Sequence, residues 1–162
     1  MTNLFIDCET TGVKIFPTPE GPKSEIVSIS ILDEDENVLL DTLVRPVYHT
    51  SWEKATEVNG ITPEMVKDAP TYEELSSKIR EIVKDNTIFA YNMSFEQNMI
   101  PEIHDCTLRC SMREFSDYNN SKWLKLNDVC EIIGFDLGEN AHDSKWDTLA
   151  LIAVKKFLDK NR

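Results

Sequence analysis

Positive charge is what this sequence has least of: 17 Lys and Arg stand against 29 Asp and Glu, a formal net charge of −12 over 162 residues. Sequence-independent grip on nucleic acid comes mainly from Lys and Arg neutralising phosphates, so a broad duplex-binding surface is excluded. An acidic chain can still act on a phosphodiester if cations held by its own carboxylates bring the positive charge to the phosphate. Long apolar runs are also missing, and nothing approaches the ~18 residues of a membrane span. The opening Met1-Thr2-Asn3-Leu4 carries no basic stretch followed by an apolar block, so no export signal is expected and the chain reads as cytoplasmic. Cysteines are scattered: Cys106 and Cys110 share an i, i+4 spacing, but no second pair completes a zinc set, and Cys8 and Cys130 stand alone. Reduced, buried or half-buried thiols are the expectation. Repeats, low-complexity tracts and linkers are absent as well, so the length fits one domain, 1–162.

What is present is a regular succession of short elements. Residues 4–9 are a mostly apolar run of strand length closed by Thr10-Thr11-Gly12, which reads as a buried strand with acidic side chains at its carboxyl end. Pro17, Pro19, Gly21 and Pro22 mark an irregular loop. Residues 25–32 alternate with the period of a half-buried strand, 33–37 supply a turn, and 38–44 form the antiparallel partner, a meander with the first strand. Segments 52–58 and 71–84 have helical apolar spacing, with Thr71 as N-cap and Glu74 completing a capping box. Residues 87–91 and 103–106 are strand-like; 94–100, 126–133 before Gly134, and 144–158 are helical. Three strands followed by β and α elements in turn specify an α/β domain with a mixed sheet.

Asp7 and Glu9 stand two apart on a strand and project from the same face. At the end of an apolar strand two carboxylates repel each other and lose hydration unless hard cations sit between them; a solvated strand end is the alternative. The Gly12 turn that follows lets backbone approach a ligand closely. Further on, His142 and Asp147 are five apart, after the loop Gly138-Glu139-Asn140-Ala141, which puts an imidazole in a loop beside a carboxylate on a helix. Together, Phe5-Ile6-Asp7-Cys8-Glu9-Thr10-Thr11-Gly12, Asn59-Gly60-Ile61-Thr62-Pro63-Glu64-Met65-Val66, Tyr91-Asn92-Met93-Ser94-Phe95-Glu96, and Ala141-His142 with Asp147 resemble the DEDDh (DnaQ-like) 3′→5′ exonucleases. That group holds the epsilon subunit of DNA polymerase III, ribonuclease T and oligoribonuclease. The four stretches span nearly the whole chain in order, and their joint occurrence carries the specificity.

The resemblance implies an RNase H-like α/β fold, a five-stranded mixed sheet flanked by helices, and an enzyme that hydrolyses single-stranded nucleic acid, DNA favoured, from 3′ ends to nucleoside 5′-monophosphates. It implies two divalent cations, Mg²⁺ or Mn²⁺, held by Asp7, Glu9, Glu96 and Asp147, with His142 as general base. Thr10, Thr11 and Gly12 would grip the terminal nucleotide, Ile61 and Met65 would form an apolar wedge beside its base, and Asn92 and Phe95 would buttress the pocket. Phe95 reads equally as a core residue. One departure is Glu96, where the family usually carries Asp. Catalytic geometry is sensitive to about 1 Å, so a weakened, binding or scaffold member is one alternative and a short-RNA exoribonuclease of the same chemistry another. Trp146, just before Asp147, either packs on the sheet or lines the mouth of the site. Lys122-Trp123-Leu124-Lys125 interleaves basic and aromatic side chains as single-strand binders do, a pattern that a helix start with solvated lysines also produces. Single-stranded 3′ ends are the expected partners, with a replication or repair polymerase docking on the domain surface and no membrane.

Overall fold

The computed structural model describes residues 1–140 and 142–162; Ala141, part of the last motif, lies outside the described residues. Strands β1 (Asn3–Thr10), β2 (Ile26–Asp33) and β3 (Val38–Leu43) make the antiparallel meander expected from the sequence. Parallel strands β4 (Thr87–Ala90) and β5 (Thr107–Cys110) extend it into a five-stranded mixed sheet of order β3-β2-β1-β4-β5. The helices are α1 (Glu53–Asn59), α2 (Pro63–Val66), α3 (Tyr72–Val83), α4 (Met93–Met99), α5 (Ser111–Asn119), α6 (Leu126–Ile133) and α7 (Ser144–Asn161). None of the described helices is long and apolar enough to cross a membrane.

The centre of the sheet is built from β1, whose two faces are apolar until Asp7. Leu4, Ile6 and Cys8 pack with Leu75, Ile79 and Val83 of α3 and with Met93 and Met99 of α4. On the other face Phe5 stacks on Phe89 at 4.9 Å between ring centroids, beneath Leu151 and Ile152 of α7. Truncating such a buried aromatic costs about 3–5 kcal/mol, so this stack fixes the β1–β4 pairing one residue pair below the acidic end of β1. That pairing covers only Asn3, Leu4 and Phe5. Beyond it β4 gives way to α4 while β1 runs on, which opens a crevice at the carboxyl ends of the strands.

Two expectations need correction. β2 is buried on both faces, because the Ser28 and Ser30 hydroxyls meet the Ser144 hydroxyl of α7 at 2.5 and 2.9 Å, and Ser30 also donates to Asp41 Oδ1 at 2.7 Å. The serines that make β2 look half-solvated are bonded beneath a helix. The strand expected at 103–106 lies instead at Thr107–Cys110: Pro101 to Ile103 form a single 3-10 turn that buries Ile103, since proline fixes φ and supplies no ladder N–H. Helix α5 follows β5 directly and has no counterpart in the sequence-based expectation. Elsewhere the local signals hold in the main: the Thr71 hydroxyl accepts from the Glu74 amide at 3.3 Å, the first half of the expected capping box without the return bond to the Glu74 carboxyl, and α6 ends at Gly134 with φ 83°.

Candidate active site

Asp7 and Glu9 come from β1, Glu96 from the first turn of α4, Asp147 from the first turn of α7, and His142 from the turn before it; all five line one cleft of about 870 Å³. The start of α7 is fixed from two sides. Asp143 caps it, accepting from the Lys145 and Trp146 amides at 3.1 and 3.2 Å, and the serine cluster ties it to β2. His142 holds a left-handed backbone, φ 67°, uncommon for a side-chain-bearing residue, and its N–H donates to Asp147 Oδ1 at 3.3 Å. One ligand atom each from Glu9, His142 and Asp147 lie within 4.8 Å of one another, close enough to hold a metal ion together.

The electrostatics of this cluster are unbalanced. Asp7, Glu96 and Asp147 are buried, and among the described residues no Lys or Arg is ion-paired with any of the four carboxylates. Burial, with Glu9, Asp147 and Glu96 adding negative charge, pushes the Asp7 carboxyl well above the usual carboxylate range. Burial likewise lifts Glu9 to about 9 and Glu96 to about 8, with Asp147 adding to both, and lifts Asp147 itself to about 7. Asp7 Oδ2 and Glu96 Oε2 are buried without a hydrogen-bond partner. A buried polar atom left unpaired costs roughly 1–3 kcal/mol, more when charged. An all-oxygen donor set with orphaned atoms and raised proton affinity fits hard divalent cations, which prefer carboxylate ligands.

Around the cluster the expected substrate residues divide. Thr10, Thr11, Gly12, Asn92 and Phe95 line the cleft. The Thr10 hydroxyl donates to the Gly12 carbonyl at 2.5 Å and the Thr11 hydroxyl accepts from the Glu25 amide at 3.0 Å, so both shape the turn. Gly12 is required by close approach: a Cβ there would meet Ser24 Oγ at 3.1 Å. Asn92 stands at the N-cap position of α4 without a capping bond, leaving its amide to the cleft. Phe95 packs on the main core and lines the cleft.

Ile61 and Met65 are not part of the cleft wall. Ile61 is buried with Val27, Trp52 and Val66, and its carbonyl accepts from Trp52 Nε1 and the Thr56 hydroxyl; Met65 is half-exposed on α2. The wall on that side is made by Lys54, Ala55 and Val58 of α1, which the sequence reading passed over. The sequence offered no signal for them, because the exposure of Val58 on a helix that buries none of its own residues exists only in the folded chain. Asp143 was also missed, although an Asp just before a helical run is an N-cap pattern. Trp123 lines the cleft and Trp146 does not. The four cysteines are free; Cys106 and Cys110 donate separately to the carbonyls of Val83 and Tyr91.

The exonuclease family model RNase_T matches residues 4–154 of this chain. Among curated proteins, the uncharacterized exonuclease CP81 of Escherichia phage 186 is 28% identical over 97% of this chain and 88% of its own length. RNA exonuclease 4 of Candida glabrata is 27% identical over 94% of the chain, which spans only 58% of that longer protein. Among solved structures, Exonuclease X in complex with 5′ overhanging duplex DNA superposes with a TM-score of 0.75 at 21% identity, covering 98% of this chain and 91% of that one, a likeness of fold. With the family model covering nearly the whole sequence, the chain belongs to the RNase_T exonuclease family, the DnaQ-like 3′→5′ exonucleases.

Proposed function

We propose that this protein is a divalent-metal-dependent hydrolase that removes nucleotides one at a time from the 3′ end of a single strand, releasing nucleoside 5′-monophosphates. The observation that carries this reading is the convergence of Asp7, Glu9, Glu96, Asp147 and His142 in one cleft, with two carboxylate oxygens buried and unpartnered. Asp7, Glu9, Glu96 and Asp147 would hold two cations, Mg²⁺ or Mn²⁺. Bound there, such ions supply positive charge to the scissile phosphate, acidify the attacking water and stabilise the leaving 3′ oxygen. A ring nitrogen of His142 takes the proton of that water, the general-base role that a positioned imidazole fills. The left-handed backbone at His142 and its N–H bond to Asp147 aim the ring at the cluster.

The Thr10-Thr11-Gly12 turn and the Asn92 amide receive the terminal nucleotide, with Phe95 and Val58 flanking its base. Ile61 serves from behind, its carbonyl accepting from Trp52, which precedes α1, and from Thr56 within it. Because the cleft draws on β1, α4 and α7, residues 1–162 act as one exonuclease domain in this reading. Glu96 reaches the shared cleft with its carboxyl buried, which favours an active enzyme over a binding module. Single-stranded DNA is the first substrate, met at replication or repair ends. Short RNA is the second, favoured by the alignment with RNA exonuclease 4.

The test is release of mononucleotides from 5′-labelled single-stranded DNA and RNA with Mg²⁺ or Mn²⁺, beside EDTA and Asp7→Ala controls. Stepwise shortening that needs the metal and Asp7 is expected, and the faster polymer names the preferred sugar. Shortening unaffected by EDTA would overturn the metal assignment, and no shortening at all would overturn the enzyme.

A further inference from the structure

Outside the carboxylate cluster the cleft has two walls of different origin. One is α1, with Lys54 and Val58; the other is the segment leading into α6, with Trp123 and Lys125. α1 is held on the β2 side, where Trp52 packs with Val27, and the second segment on the β4 side, where the Tyr91 hydroxyl donates to the Leu124 carbonyl. β2 and β4 flank β1 on opposite sides, so these walls face each other across Asp7 and Glu9.

An exposed aromatic is ordinary on a protein surface. Trp123, 60% exposed, differs in its surroundings. The Arg113 guanidinium lies 5.2 Å from its ring centroid, and Arg113 lines a separate groove, so the cation holds the indole from outside the cleft. Leu124, the next residue, is fixed by the Tyr91 bond and packs against the Phe115 and Val129 cluster, so the indole stands on an anchored segment. Lys125 and Lys54 are exposed and in no ion pair among the described residues. In a chain of net charge −12, two unpaired lysines on facing walls of an acidic cleft put positive charge where a strand's phosphates would pass.

We infer that Trp123, Lys125 and Lys54 form a second-nucleotide subsite for single-stranded nucleic acid. The base preceding the terminal one stacks on the indole, and the neighbouring phosphates are met by the two lysines. Every base has a π face, so this subsite is tolerant of sequence. The inference rests on the exonuclease reading and adds to it a requirement for more than one nucleotide.

The test compares two substrates in Mn²⁺. The p-nitrophenyl ester of thymidine 5′-phosphate fills the terminal position and carries beyond its phosphate only the nitrophenoxy leaving group, with no second sugar, base or phosphate, whereas a thymidylate tetramer also fills the second. Trp123→Ala is expected to raise KM for the tetramer about tenfold, leaving its kcat and both constants for the ester unchanged, and Trp123→Phe to restore most of the loss. Replacing Lys54 and Lys125 together with Ala is expected to lower the slope of log KM against log salt by about 1.4 for the tetramer alone. Equal losses on both substrates would make Trp123 a structural support, and no loss on either would make it plain surface; each overturns the subsite. A wild type that cleaves neither substrate overturns the exonuclease reading and the subsite with it, whereas one that cleaves both and is matched by Trp123→Ala overturns the subsite alone.

Discussion

Glu25 and the four cleft carboxylates begin from the same chemistry and end in opposite states. Glu25, at the foot of β2, accepts from the backbone amides of Val47, Tyr48 and His49 at 2.7, 2.9 and 2.8 Å and contacts His49 Nδ1 at 2.7 Å. Burial opposes its charge, but these donors outweigh burial and hold the carboxyl below its ordinary value. At the same end of the sheet, Asp7 and Glu9 on the neighbouring strand, with Glu96 and Asp147 brought beside them by two helices, have almost no donors, and burial together with their mutual repulsion raises their proton affinity. The first arrangement is complete and fastens a loop. The second is incomplete within the chain itself, which is what separates a working site from a structural bracket.

Asp7→Asn sharpens this contrast most. Activity on single strands should fall more than about a thousandfold, because Lewis-acid stabilisation of a phosphoryl oxygen is worth several kcal/mol. In EDTA the same variant should melt above the wild type near neutral pH, since a buried amide needs neither the proton nor the like-charge repulsion that burial among carboxylates imposes on Asp7. A calorimetric scan showing it to melt lower would break the comparison. Glu25→Gln should behave oppositely: activity per folded molecule is retained, while a urea titration shows a loss of about 2 kcal/mol as charge-assisted bonds become neutral ones. Glu96→Asp draws the carboxyl back by roughly 1 Å and should lower kcat about tenfold in steady-state assays. A higher kcat would show instead that the longer arm is the impaired one.

The smallest effect is the dependence of melting temperature on pH. Glu9, Glu96 and Asp147 keep protons in the folded chain that the unfolded chain releases near pH 4. Their contribution to stability is therefore complete below about pH 4 and is lost as pH rises through about 7 to 9. Mn²⁺ should raise Tm by a few degrees more at about pH 8.5 than at about pH 5.5, as read by scanning fluorimetry. Glu25 runs the other way: its stabilisation is present above about pH 4.3 and is lost as pH falls through its lowered value, so Glu25→Gln and wild type should converge in acid.

The legible parts of the fold are those whose signals are local. The β2–β3 turn is set by Asp33, which accepts from the amides of Asp35 and Asn37, and the ends of α3 and α6 follow from Thr71 and Gly134. Where a distant partner decides, the sequence misleads. Ser28 and Ser30 read as a wet face until Ser144, more than a hundred residues away, is seen to cover them. β5 hides because it is a short edge strand carrying Thr107 and Arg109 beside an apolar stretch that turns at Pro101. The catalytic candidates were readable because chemistry demands particular side chains at particular places. The cleft walls were readable only in part: the basic and aromatic pattern around Trp123 stood out but was equally explained by a helix start, and Lys54 and Val58 carried no signal, because such side chains acquire a role only from what the chain folds opposite them.

The serine cluster under α7 also has a meaning in time. Asp7 and Glu9 are synthesised well before His142, Ser144 and Asp147, which follow on the order of ten seconds after Glu9 at about 5–20 residues per second. Until the Ser144 hydroxyl seats between Ser28 and Ser30, the carboxylates of β1 have no Asp147 beside them. Docking of one late helix thus acts as the switch that arms the nuclease, and a half-made chain carries no working blade.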